Sequence, residues 1–182
     1  EAGIPYLLVD DFREGENCVA QDNRKGGRLA AEHLLSRGSR RPVCVGLEVE
    51  YAHQRDRFAA FDEACLRDPA VSPLPRVHLC GEEESYAATV ALIERDGADG
   101  VFYFSDSLAY GGLKAARERG SAVPIIGYDD ISFSSFAGLT TIRQSPELLG
   151  STAVEKLRFL IEEDGEAAVR LLLEPELVVR ES

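Results

Sequence analysis

The side chains able to do polar chemistry sit just past short apolar runs of this 182-residue chain. Asp10 and Asp11 follow Val9, and a loop after Leu47 leads to His53, Arg55 and Arg57. Glu82, Glu83, Glu84 and Tyr86 follow Cys80, Ser105 and Asp106 follow Phe104, and Tyr128, Asp129 and Asp130 follow Gly127. Together they offer carboxylates, a guanidinium, a hydroxyl and an aromatic ring. Carboxylates accept from sugar hydroxyls, arginine donates to ring oxygens, and an aromatic face lies against the apolar side of a sugar, so the chemistry suggested is recognition of a neutral polyhydroxylated molecule.

Each residue also has a plainer use. Ser105 and Asp106 open a helix and as caps would need no ligand; Asp130 has the same alternative, whereas Asp129 after a Gly-Tyr turn is less easily explained that way. Arg57 could be a solvated helix residue, Tyr86 a core ring, and Glu82 to Glu84 an acidic first turn matched to a helix dipole.

Catalytic and metal chemistry find little support. The cysteines, Cys18, Cys44, Cys65 and Cys80, have no C-x-x-C spacing, and His33, His53 and His78 form no ligand cluster with them, so the thiols are expected to be buried or idle in a reducing compartment. No G-x-G-x-x-G, Walker or G-x-S-x-G sequence follows any strand, and His53 lacks an evident nucleophile partner. No enzyme, catalytic set, metal or cofactor is therefore expected. A phosphate-switched receiver is suggested only by Leu7-Leu8-Val9-Asp10-Asp11, and it lacks the required Asp after Leu47, where Glu48 and Val49 stand instead.

These residues need elements to hold them. Ile4 to Val9 is a strand-like run, and Leu29, Ala30, His33 and Leu34 mark a helix stopped by Gly38. Val43 to Leu47 is a strand, followed by a helix carrying Phe58, Phe61 and Cys65. Arg76 to Cys80, Val101 to Phe104 and Pro124 to Gly127 are further strands, separated by helices marked by Tyr86, Val90 and Ile93 and by Leu108 to Ala116. Leu139 to Ile142 is extended, Leu149 to Ile161 lies on the longest helix, and Leu171 to Leu173 and Leu177 to Val179 close the chain as short strands. The proline-rich stretch Asp68 to Pro75 is a helix-to-strand loop. Such alternation predicts an α/β fold with parallel strands covered by helices on both faces, and ligands of such sheets bind beyond the strands' carboxyl ends.

Composition narrows the partners. With 20 Lys and Arg against 32 Asp and Glu, the formal net charge is −12, which argues against this chain itself gripping a nucleic-acid backbone. No run of eighteen apolar residues and no signal-peptide pattern is present, so no membrane partner is expected and the cytoplasm is the expected location. The first residue is Glu1 rather than Met, as in a processed or truncated chain.

Taken in order, Asp22 to Leu34, Arg57-Phe58-Ala59-Ala60-Phe61, Phe104-Ser105-Asp106, Val123-Pro124, Gly127-Tyr128-Asp129-Asp130, Leu139-Thr140-Thr141-Ile142-Arg143-Gln144 and Leu177 to Ser182 resemble the sensor core of the LacI/GalR family of bacterial transcription regulators. The resemblance implies a periplasmic-binding-protein-like fold of two Rossmann-like parallel-sheet lobes, the first incomplete here. It places residues 1–50 and about 145–168 in the N-terminal lobe, and 51–144 and about 169–182 in the C-terminal lobe. It implies a small-molecule effector, a sugar or nucleoside-like metabolite, in the interlobe cleft, allosteric control of operator DNA through a headpiece absent from this chain, and a homodimer. By position, Arg57 and Asp129 match effector-binding residues, Tyr86 an aromatic lid and Ser105 the polar position before Asp106, while Lys25 and Gln144 approach the cleft or hinge and His53 is a further candidate. An exported sugar-binding protein of the same fold is the alternative, which the Leu139 to Gln144 segment disfavours. Three departures stand out: Ala60 replaces a glycine, a short acidic loop is missing between Pro124 and Ile125, and the early strand-helix units of the first lobe are missing upstream of Ile4, which would leave apolar edges unburied.

Overall fold

The computed structural model describes residues 4–49, 51–162 and 168–182. The chain divides into two compact units, one of residues 1–22 and 144–175 and the other of residues 23–143 and 176–182.

In the first unit, β1 (Leu8–Val9), β2 (Cys18–Gln21) and β8 (Arg170–Leu173) form a parallel sheet in the order β1-β2-β8, with α6 (Pro146–Glu162) against β2 and β1. All of β2 is buried, and Val19 packs with Leu160 and Val169 in a small core. Strand structure is expected from Ile4 onward, yet pairing with Cys18 and Val19 covers only Leu8 and Val9, so Ile4 and Tyr6 remain exposed.

The second unit is built on a six-stranded sheet. Its strands are β3 (Pro42–Leu47), β4 (Val77–Leu79), β5 (Gly100–Tyr103), β6 (Ile125–Asp129), β7 (Thr140–Arg143) and β9 (Glu176–Val178), in the order β4-β3-β5-β6-β7-β9. All pairs are parallel except β7 with β9, where Thr141 faces Val178. Its helices are α1 (Asn23–Ser36), α2 (Ala52–Cys65), α3 (Ser85–Glu94), α4 (Asp106–Glu118) and α5 (Ser132–Ala137), with α1 packed on α2 and α3 on α4. The apolar runs of β3 and β5 are buried along almost their full length, as strands covered on both faces must be. Phe58, Phe61, Phe102, Tyr103 and Leu34 fill this core without measurable exposure.

The division between the units differs from the expected one at residues 23–49, at Gln144 and at residues 169–175. Residues 23–49 belong to the second unit, because β3 pairs with β4 and β5 in its sheet and α1 packs on α2. Near the end of the chain, β8 pairs with β2 of the first unit while β9 pairs with β7 of the second, so residues 169–175 leave the unit assigned to them. Position 50 and positions 163–167, just before the expected boundary at 168, lie outside the described residues. The short elements β2 and α5 carry no full period of either pattern, and only the structure shows them.

Gly26 and Gly27 decide how closely α1 approaches its neighbours. A Cβ on Gly27 would stand 1.9 Å from the Arg57 carbonyl oxygen, and one on Gly26 would stand 2.3 Å from the Tyr128 hydroxyl. Glycine costs helix stability, and here it lets the start of α1 lie directly on α2 and on the end of β6.

Candidate functional site

Around the carboxyl end of the second unit's sheet, Arg57 organises the polar and aromatic groups. It is 4 % exposed, so it is neither solvated nor on a polar helix face. Its Nε donates to Asn23 Oδ1 at 2.9 Å and its Nη1 to the Phe104 carbonyl oxygen at 2.8 Å. The guanidinium carbon lies 3.5 Å from the centre of the Tyr128 ring and 5.0 Å from that of Phe104. A guanidinium is planar and weakly hydrated, so it can be buried between rings while its edges donate.

The aromatic column extends outward. His53 stacks on Phe104 with centroids 5.3 Å apart, and Tyr51 stacks on His53 at 5.4 Å with an interplanar angle of 8°. Tyr128 is buried and Tyr51 is about half exposed, so the column runs from the core to the surface. One end of the column, Tyr51, is thus open to solvent.

Asp129 ends β6 with φ of 112°, and Asp130 follows with φ of 56°. Positive φ at two successive non-glycine residues costs of the order of 1–3 kcal/mol each, and such backbone persists only where surrounding contacts enforce it. Here those contacts are visible. Arg143 Nε and Arg180 Nη2 each donate to the Asp130 carboxylate at 2.7 Å. Burial works to raise the Asp130 pKa, but the bonds and charges of Arg143 and Arg180 outweigh it and hold the carboxyl below its ordinary value. The Asp106 carboxylate, wholly buried, accepts from the Ile131 N–H at 3.0 Å, from Ser134 Oγ at 2.5 Å and from Thr141 Oγ1 at 2.6 Å. Burial pushes its pKa up, against these bonds.

Among the expected site residues, Arg57 and His53 come together through Phe104, and Asp129 directly follows the Tyr128 ring that Arg57 covers. Lys25 lies half-buried in the first turn of α1, two residues from Asn23. Ser105 caps α4, its Oγ accepting from the Leu108 N–H at 3.4 Å. Tyr86, expected as a lid, turns elsewhere: its hydroxyl donates to Glu118 at the end of α4 at 2.7 Å, with Lys114 Nζ 5.7 Å from its ring. The reason is the packing of α3 on α4, with Ser85 Oγ bonded to the Leu108 carbonyl, which runs the Tyr86 ring along α4. Gln144 belongs to the first unit, as do Asp10 and Asp11, the latter paired with Arg13 at 2.6 Å.

The sequence reading missed Asn23, Phe104 and Tyr51 as partners of Arg57 and His53. Asn23 opens a helix and Phe104 ends an apolar run, so only proximity in the fold distinguishes them. Cys44 and Cys65 are buried and their thiols are pushed up, that of Cys65 to about 12, chiefly by burial. Among the described residues no helix is long and apolar enough to cross a membrane, and no three His, Cys, Asp or Glu side chains are grouped to hold a metal.

A mostly parallel sheet whose carboxyl-end loops gather a buried arginine, stacked rings and a strained aspartate defines an α/β domain of the class whose ligands bind beyond the strand ends. Residues 31–182 match the family of periplasmic-binding-protein-like domains, and the chain belongs to that family. It is 33% identical to the HTH-type regulator of the aml 5′ region of Streptomyces limosus, and all of it aligns with 55% of that protein. It is also 33% identical to the HTH-type transcriptional regulator GntR of Pseudomonas aeruginosa, aligning in full with 56% of it, so the chain spans about half the length of these relatives. A LacI family transcriptional regulator from Enterococcus faecium, solved with bound ribose, superimposes with a TM-score of 0.79 at 28% identity, covering 97% of this chain and 69% of that one.

Proposed function

We propose that this chain is the effector-sensing part of a bacterial LacI-type transcription regulator and binds a small sugar at the carboxyl end of its six-stranded sheet. Arg57, Asp129 and His53 are the contacts assigned to the effector, with Lys25 and Ser105 of the same unit as further candidates. The observation that carries this reading is the column Tyr51, His53, Phe104, Arg57 and Tyr128 beside a strained Asp129. Stacked rings suit the apolar face of a sugar, and a carboxylate suits its hydroxyls. The HTH-type relatives and the ribose-bound neighbour support the same class. In the full-length cytoplasmic protein, a homodimer, the bound effector changes operator affinity through its unequal affinity for two arrangements, a coupling of about 1–3 kcal/mol. No step of this function requires catalysis.

Calorimetric titration of the 182-residue chain with D-ribose, D-xylulose, D-glucose and a set of nucleobases tests the reading. Saturable binding of a sugar, weakened at least tenfold by Asp129→Ala, is expected. Binding of a nucleobase alone would replace the sugar with a nucleoside-type effector, and sugar binding indifferent to Asp129→Ala would remove that residue from the site.

A further inference from the structure

We infer that Asp106 is the positioning residue for Asp129: its buried carboxylate pins the chain just past the Asp129-Asp130 turn and so holds the Asp129 backbone in its positive-φ conformation. The inference rests on the effector reading for its purpose, though its geometry stands independently.

Side-chain bonds hold the turn on both sides. On one side the Asp130 carboxylate is held by Arg143 from β7 and by Arg180 from the chain's last residues. On the other, the N–H of Ile131, the first residue after the turn, donates to Asp106 Oδ2 at 3.0 Å, and Ser134 on α5 donates to the same oxygen. Thr141 of β7 donates to Oδ1, so one carboxylate joins the start of α4, the turn, α5 and β7. Gly127, two residues before Asp129, makes room for it, since a Cβ there would stand 2.1 Å from Asp106 Oδ1. Without Asp106 the Ile131 N–H loses its acceptor and the positive-φ turn loses a restraint on its far side. A turn with a smaller-cost alternative would then relax, and the Asp129 carboxylate would leave the place where a ligand meets it. Ser105 and Asp106 are thus neighbours with different tasks, a helix cap and a clamp on the next strand's loop.

The test compares Asp106→Ala with Asp106→Asn, which keeps one side-chain oxygen for the Ile131 N–H. Hydrogen exchange of individual amides is measured by NMR in the 182-residue chain, with D-ribose titrated by calorimetry. In the unaltered chain the Ile131 amide is expected to exchange as slowly as those of β6; exchange at the rate of an open loop overturns the inference, even if the alanine variant fails to fold. In Asp106→Ala the Ile131 amide should exchange at least tenfold faster while the amides of β3 and β5 keep their rates, and ribose binding should weaken at least tenfold. Asp106→Asn should restore both to within threefold. Equal acceleration of every amide in the unit, or no recovery in the asparagine variant, marks Asp106 as a general stabiliser and overturns the inference. If the unaltered chain binds no ribose, the sugar reading suffers while the exchange data still decide the positioning role.

Discussion

Replacing Arg57 by lysine tests the central contact of the site. The change keeps the charge and most of the length but removes the planar fork and the stacking surface. Arg57 donates to Asn23 Oδ1 and to the Phe104 carbonyl, and hydrogen bonds from a charged group contribute about 1.5–3 kcal/mol each. Its guanidinium lies 3.5 Å from the Tyr128 ring centre, and a desolvated contact of this kind contributes about 2 kcal/mol. At 4 % exposure solvent screens little of this. A lysine ammonium can remake one bond as a point donor, so the net loss is one charged bond and most of the stacking, about 3 kcal/mol. The chain has no Trp and six Tyr, so urea unfolding followed by circular dichroism and tyrosine fluorescence reports the change. With a slope of about 2 kcal/mol per molar urea, the midpoint of the second unit's transition should fall by about 1.5 M. A midpoint within about 0.3 M of the unaltered chain would refute this account of Arg57, because a guanidinium so enclosed cannot be exchanged freely unless those contacts contribute nothing.

Further expectations follow from single residues. Gly27→Ala forces a methyl to within 1.9 Å of the Arg57 carbonyl oxygen, and since backbone cannot yield cheaply it should destabilise by about 3 kcal/mol or more, seen as a lower thermal midpoint; an unchanged midpoint contradicts the packing. Asp129→Gly should raise stability by about 1 kcal/mol by relieving the φ of 112° while abolishing sugar binding, and a variant that is less stable by denaturant titration would show the turn unstrained. Asp130 has a folded pKa below its unfolded value near 3.8, so its stabilisation is present above that value and is lost as pH falls through the lower folded one; Asp130→Asn should remove this contribution and flatten the acid limb of stability against pH in a denaturant titration. Asp106 has the opposite sign. Its pKa is raised, so its contribution is full below 3.8 and is lost as pH rises through the folded value, and Asp106→Asn should abolish that loss in the same titration.

The α/β class, most element centres and the position of polar residues beyond the strand ends were legible in the sequence, because buried strands such as β3 and β5 and amphipathic helices such as α4 carry their period locally. Ordered resemblances marked Arg57 and Asp129 as well. Tertiary structure alone decided what those residues meet. That Arg57 is buried between Phe104 and Tyr128, that Tyr86 reaches Glu118, and that Asp106 bonds Ile131 and Thr141 are contacts between residues 25 to 71 positions apart. The placement of β8 and β9 in different sheets was likewise invisible, since two short apolar runs around Pro175 have the same local pattern. Local periodicity specifies which face of an element is buried, while the partner across that face depends on how the sheet orders its strands and how close glycines such as Gly27 allow its helices to come.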